Sequence, residues 1–193
     1  NYKENGMIDK YSAPSAEHIL GTDSIGRDVF ARLLYGGRIS LSVGLISCLI
    51  SVAIGILAGC LACFGGRLAD SLIMRTVDVV ICFPVMFLII TISCFITPTI
   101  YTIMLIIGLV SWTGTARLVR GEILKIRELE YVQSSIVLGA GNVRIVFTHV
   151  LPNIIAPVVV QATLSIASAI LTEASLSFLG VGVAPPTPSW GNM

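Results

Sequence analysis

Four long apolar runs alternate with shorter polar segments along the chain, and this pattern predicts membrane-spanning helices. The runs are continuously apolar rather than alternating, which favours helices over the strands of a membrane barrel. Each is close to the ~20 residues that a helix needs to cross ~30 Å of hydrocarbon. We therefore expect an all-α, polytopic transmembrane bundle with spans at about residues 40–64, 77–96, 100–119 and 154–171.

The first 38 residues are expected to form an extracytoplasmic segment, because they precede the first span and are polar over most of their length. Within them, residues 23–37 carry apolar side chains on one helical face, which predicts a short amphipathic helix in the membrane interface. The expected cap, ion pair and end of this helix are Asp23 or Ser24, Asp28 with Arg32, and Gly36-Gly37.

The distribution of basic residues gives an orientation. With four spans, the loops at residues 65–76 and 117–153 share one side of the membrane and carry seven basic residues, against five on the other side. Cytoplasmic loops are enriched in Lys and Arg, so these two loops are expected to be cytoplasmic. The turn at residues 97–99 and the tail after Leu179 contain no Lys or Arg and are expected to lie outside.

Composition supports lipid as the main solvent. The chain is 55% hydrophobic and 12% charged, whereas soluble domains carry about 25% charged residues. Its mean hydropathy is +0.92. The net charge of +1 and the lack of a basic cluster give no sign of a nucleic-acid partner.

Glycine and proline suggest close contacts and kinks inside the spans. Gly55 and Gly59 form a GxxxG, which permits close helix approach and most often means packing within the chain. Pro84 and Pro157 each remove a helix hydrogen bond and are expected to kink their helices.

The loop at residues 120–153 differs from the rest of the chain because it is polar and rich in small residues. Residues 131–138 predict a short helix, and glycine at 139 and 141 permits a break with positive φ. Asn142 is the expected cap of a second helix, and Pro152 is expected to set the next span at a new angle. A helix–turn–helix projecting into the cytoplasm follows from this pattern.

This projecting segment resembles the "EAA---G---------I-LP" loop of the permeases of ABC importers. The spacing from Gln133 to Gly139 and on to Leu151-Pro152 matches that motif. Two positions depart from it: the EAA triplet is Gln-Ser-Ser here, and the isoleucine position is His149.

Further segments resemble one branch of these permeases, the dipeptide, oligopeptide and nickel transporters. They are "HILGTDSIGRDVFARLLYGGRISLSVG" at residues 18–44, "LTEASLSFLGVGV" at residues 171–183 and "PSWG" at residues 188–191. The resemblance covers nearly the whole chain. It implies a permease domain at residues 39–193 with four of the family's six spans, so the chain is expected to be truncated at both ends.

The resemblance implies a mechanism and partners. The chain would be the permease subunit of an ATP-driven importer in a bacterial or archaeal cytoplasmic membrane. A second, related permease would pair with it, two ATPases would hold ATP and Mg, and an extracytoplasmic protein would deliver peptides, nickel or a metal chelate. The residues implied to couple to an ATPase are Tyr131, Gln133, Ser134, Ser135, Gly139, Ala140, Gly141, His149, Leu151 and Pro152.

The sequence offers few residues for chemistry of its own. No G-x-x-x-x-G-K-[ST] occurs, so ATP hydrolysis would need a partner, and no catalytic residue, cofactor or metal site is predicted. Glu173 is the candidate pathway residue; it would meet cargo or, as the favoured interpretation, form an ion pair with a residue such as Arg38. Cys60 and Cys63 form a CxxC, which is better explained as small residues one helical turn apart than as a metal or redox site.

Two other classes of protein compete with the importer. An ion-driven secondary transporter would need charged or broken-helix sites at mid-membrane, and the spans contain almost none. A membrane scaffold without a pathway would explain the helices, but it would not explain the glycine-hinged loop.

Overall fold

The computed structural model describes residues 10–96, 99–183 and 186–193. Two predictions therefore fall partly outside the described residues: Lys3, one of the five basic residues counted on the outer side, and two residues of the turn at 97–99. Within the described ranges the chain is helical, with no named strand. The helices are α1 (Val29–Phe64), α2 (Gly66–Cys82), α3 (Val85–Ser93), α4 (Ile100–Arg127), α5 (Glu130–Val137), α6 (Asn142–Ile145) and α7 (Leu151–Phe178), with a π-helical segment at Val146–Val150.

Helix α1 is longer than predicted and absorbs the expected interfacial helix. It has 36 residues, about 54 Å at 1.5 Å per residue, which exceeds the ~30 Å hydrocarbon layer. Its cap is Asp28, whose carboxylate accepts the Ala31 N–H, so the prediction of Asp23 or Ser24 was wrong. Asp28 faces His18, while Arg32 binds Asp23, so the predicted Asp28–Arg32 pair is replaced. The helix also continues through Gly36-Gly37.

The second predicted span, residues 77–96, is two helices joined at Pro84. Helices α2 and α3 meet at 86°, which confirms a kink at this proline and shows that it is a sharp one. Phe83 is extended, since a residue that precedes proline is disfavoured in the α conformation. Three described helices (α1, α4 and α6 to α7) are long and apolar enough to cross a membrane, and counting α2 with α3 gives four spans.

The last span begins before residue 154, because the helix is continuous from Asn142 to Phe178. Asn142 is the first helical residue and its side chain makes no cap bond, so the predicted cap was wrong; Gly141 occupies the cap position. Pro152 lies in the first turn of α7, as predicted for the start of the last span, but the helix reaches it from Asn142 without a break. The wider π-helical segment precedes it, where the missing proline N–H would interrupt a regular α-helical ladder. The helix also continues through Pro157.

Glycines bring α1 and α4 close together. A Cβ on Gly55 would lie 2.5 Å from Thr115 Cβ, and one on Gly59 would lie 2.6 Å from Val119 Cγ1. The GxxxG is therefore a packing surface within this chain, as predicted. Among the described residues, three apolar clusters complete the bundle, and they are centred on Val43 and Ile107, on Val119 and Val150, and on Ala58 and Val77.

The chain reverses so that its helix ends gather at two poles. At one pole, which we call the tail pole, the start of α1 contacts the segment after α7, where Trp190 Nε1 donates to Leu33 O over 3.3 Å. At the other, the loop pole, Arg127 Nη1 donates to Cys63 O over 3.1 Å and joins the ends of α4 and α1. This arrangement is the one expected of four antiparallel spans.

Candidate functional site

The candidate site is the projection formed by α5, the turn after it, α6 and the π-helical segment. Helix α5 spans Glu130–Val137, which confirms the predicted short helix within one residue at each end. Gly139 has φ +84, a conformation that favours glycine, so the predicted break is present as well. The projection extends beyond the last turn of α4.

A small apolar core anchors the projection to the bundle. Val132 is fully buried and belongs to one cluster with Ile126, Ile145, Val150 and Ile154. Because Ile126 belongs to α4 and Ile154 to α7, the cluster joins both helices that support the projection. This packing fixes the direction in which the tip points.

Polar contacts hold the two sides of the projection together. The rings of Tyr131 and His149 meet edge to face with centroids 5.6 Å apart. Ser135 Oγ lies 3.1 Å from His149 Nε2, and Asn153 Nδ2 donates to Tyr131 Oη over 3.2 Å. His149, at the position where the motif has isoleucine, therefore replaces an apolar contact with a ring contact and a polar contact.

The ten residues predicted to couple to an ATPase divide into two groups, those that line a cavity and those that do not. Ser135, Gly139, Ala140 and His149 line one cavity of about 330 Å³ together with Leu138, Arg144 and Thr148. The remaining residues do not line it: Gln133 donates to the Arg127 carbonyl and Ser134 to the Glu130 carbonyl, while Tyr131, Gly141, Leu151 and Pro152 support the projection around it.

Four large apolar side chains at the tip are exposed, and none of them was among the residues predicted from the sequence. The exposed fractions are 84% for Val137, 87% for Leu138, 71% for Val143 and 67% for Phe147. The signal was present in the sequence, because these residues flank the glycine turn on both sides: Val137 and Leu138 precede it, and Val143 and Phe147 lie in the first turns of the helix that begins at Asn142. They leave an apolar tip on the projection.

Arginines at the end of α4 bind the neighbouring helices at the loop pole. Arg120 makes two hydrogen bonds to Asp70, of 2.6 and 2.7 Å. The Arg127 guanidinium lies 5.5 Å from the Phe64 ring centroid. Asp78 of α2 pairs with Arg117 of α4.

The pathway candidate Glu173 lies at the tail pole and is fully buried. Its Oε2 accepts the Ser40 hydroxyl over 2.9 Å, and its Oε1 accepts the Ser177 hydroxyl over 2.6 Å. The partners are serines, so the expected ion pair with Arg38 was wrong. A contact between Glu173 and cargo stays a prediction.

The Glu173 carboxylate also organises the tail of the chain. Ser177 Oγ accepts the Val183 N–H over 2.9 Å, and Ser40 Oγ accepts the Trp190 N–H over 3.3 Å. We call these residues (Ser40, Glu173, Ser177, Val183 and Trp190) the Glu173 network.

These features define a polytopic, all-helical membrane protein with a projecting helical hairpin at one pole. The chain belongs to the family described as "Binding-protein-dependent transport system inner membrane component", which matches residues 51–193. Its apolar helices and this family make it a multi-pass protein of the cytoplasmic membrane. The family match favours the importer over the ion-driven carrier and the scaffold.

Relatives cover the whole chain or most of it. A protein of Brucella suis biovar 1 (strain 1330) is 46% identical over 194 residues, which is 100% of this chain and 64% of that protein. The dipeptide transport system permease protein DppC of Alkalihalophilus pseudofirmus is 40% identical, with the same shares covered. The di/tripeptide transport system permease protein DppC of Pseudomonas aeruginosa is 45% identical, over 92% of this chain and 59% of that protein. The chain thus spans less than two thirds of the length of these relatives.

Proposed function

We propose that this chain is the permease part of an ATP-driven importer that carries peptides or a related small cargo, such as nickel or a metal chelate, across the cytoplasmic membrane. The family and the similarity to permeases named for dipeptide and di/tripeptide transport support this proposal. The chain supplies the path, and partner ATPases supply the energy with their own ATP and Mg.

The apolar tip of the projection is the observation that carries the proposal. Val137 and Leu138, which precede the candidate span that begins at Asn142, are mostly exposed, as are Val143 and Phe147 in its first turns. Exposed apolar groups that cluster in water mark a surface for a partner. A short amphipathic helix such as α5 suits insertion into a groove, which here would belong to an ATPase.

The anchoring of the projection explains how it would transmit motion. Because Val132 belongs to one apolar cluster with Ile126 of α4 and Ile154 of α7, a push on the tip would move two spans together. Closure of two ATPases would thereby shift the spans of this chain against those of a second, related permease. An extracytoplasmic binding protein would deliver the cargo at the tail pole.

The test is co-purification of the tagged full-length protein from native membranes, with Leu138→Glu as the variant. Leu138 is 87% exposed, so the change should alter the free energy of unfolding by no more than about 0.5 kcal/mol. We expect the ATPase to be lost from the variant while the second permease is retained. Leu20→Glu is the matched control, because it makes the same change at a 46% exposed leucine in the N-terminal segment.

A second variant, Gly139→Trp, blocks the same surface by bulk. A Cβ at Gly139 meets nothing within 4 Å, although its φ of +84 strains any larger residue. An ATPase that binds Leu138→Glu and Gly139→Trp as well as the wild type would refute coupling through the tip. If the wild type brings down no ATPase, the importer proposal itself fails.

A further inference from the structure

A hydroxyl-rich cavity of about 350 Å³ lies between the middle parts of α1, α4 and α7. Its volume is at the lower end of the range for small-molecule sites. Among the described residues that line it there is no Asp, Glu, Lys, Arg or His. The hydroxyl residues on which the inference rests are Ser51, Ser111, Thr113, Ser165, Ser168 and Thr172.

Ser51 lines this cavity and has a buried hydroxyl without a hydrogen-bond partner among the described residues. Its side chain is 1% exposed, and its Oγ has no partner within the described part of the chain. Ser47, one helical turn earlier, shows the contrast, since its Oγ donates to the Met104 carbonyl over 2.9 Å. A buried hydroxyl without a partner costs ~1–3 kcal/mol, so a water or ligand that bonded Ser51 from the cavity would be stabilised there.

Helix α7 supplies a polar wall to the cavity. Ser165, Ser168 and Thr172 are spaced three and four residues apart and therefore share one face. Leu164 and Leu171 each precede one of these positions by one residue and are 62% and 69% exposed, as expected of lipid-facing residues. Hydroxyls inside a membrane normally face a cavity or a neighbouring helix rather than lipid.

We propose that this cavity is a water-filled part of the transport path and that its hydroxyls contact the amide groups of a peptide cargo; this inference rests on the proposed function. A hydroxyl both donates and accepts, so it can pair with an amide N–H and with a carbonyl. Amides occur at every residue of a peptide. A wall that recognises them and carries no charge admits peptides with different side chains.

The first test measures whether water reaches the cavity. In the full-length protein with its native cysteines replaced by alanine, Ser168→Cys and Leu164→Cys are labelled with 2-sulfonatoethyl methanethiosulfonate in membranes that contain the assembled transporter. Thiolates react and apolar surroundings suppress their formation, so Ser168→Cys should react at least about tenfold faster. Equal rates would overturn the inference.

The second test concerns the cargo. Ser51→Ala should raise the KM for uptake of radiolabelled dialanine about threefold to tenfold, as expected for one lost hydrogen bond. Ser93→Ala is the control, because Ser93 is also buried without a partner in the described structure but does not line this cavity. An unchanged KM for Ser51→Ala would refute contact with the cargo.

The two proposals fail in different ways. Uptake of dialanine that persists while Ser168→Cys stays unlabelled would overturn the cavity inference and leave the importer standing. If ATP drives no dialanine uptake by the wild type but Ser168→Cys reacts quickly, peptide cargo is refuted and only the water-filled cavity stands.

Discussion

The two poles of the molecule differ in how they treat side chains: one buries and pairs a carboxylate, and the other exposes apolar groups. At the tail pole, the Glu173 network encloses a carboxylate and pairs both of its oxygens with serines of the same chain. At the loop pole, the projection leaves Leu138 and Phe147 mostly exposed. Burying a polar group is costly unless it forms hydrogen bonds, and an exposed apolar patch is typical of a surface that binds another protein. The Glu173 network therefore finds its partners within the chain, whereas the projection leaves an apolar surface that we propose meets another protein.

The largest expected effect comes from breaking the Glu173 network. Glu173→Ala removes the acceptor for Ser40 and Ser177 and leaves a cavity, so the free energy of unfolding should fall by about 3 kcal/mol. Thermal unfolding in detergent, followed by size-exclusion chromatography, measures the loss. Thr172→Ala is the neighbouring control, because its hydroxyl donates to the Ser168 carbonyl of its own helix. Equal melting temperatures for the two variants would show that the network contributes little.

A smaller effect is expected from loosening the projection. Val132→Ala should cost about 2 kcal/mol through lost burial and a residual cavity, and it should act locally because Val132 anchors the tip. Limited trypsin digestion at the exposed Arg144 would report the loosening as faster cleavage. Val143→Ala, at a 71% exposed position, should cleave at the wild-type rate. If Val132→Ala also cleaves at that rate, the projection does not depend on this anchor.

The smallest effect tests the cap of α1 at the tail pole. The Ala31 N–H and the His18 side chain lower the pKa of Asp28 below its ordinary value of 3.8. A lowered folded pKa stabilises the protein at higher pH, and this contribution is lost as the pH falls from about 3.8 through the folded pKa.

Asp28→Ala should therefore cost about 1 kcal/mol at pH 7, and the difference from wild type should shrink at the lowest pH at which the protein remains folded. Melting temperatures of both proteins between pH 7 and pH 3 check this. A difference that stays constant over that range would mean that the charge of Asp28 does not contribute.

Local chemistry made parts of the projection predictable. A run of helix-forming residues that ends before glycine predicted α5, and the positive φ of Gly139 needs no distant contact. The same is true of the bend at Pro84, where the missing N–H and the restricted residue before it act within a few positions. The size of that bend, 86°, was not predictable from those residues.

Other predictions failed because contacts with distant segments of the chain determine the structure at those positions. Gly36-Gly37 looked like the end of a helix, yet a Cβ on Gly37 would lie 3.0 Å from Trp190 Cζ2, so these glycines make room for the tail. Glu173 looked like a member of an ion pair, yet its partner Ser40 lies 133 positions away. Neither contact has a sequence signature.

The sequence by itself determined the solvent, the number of apolar segments, the glycine-hinged projection and the motif that identifies the family. Hydrophobicity and backbone preference act on single residues and their near neighbours, so a linear pattern records them. Only the tertiary structure decided which polar groups are paired. It left Ser51 without a partner, enclosed Glu173 and exposed Leu138, because each of these outcomes depends on how separate helices pack together.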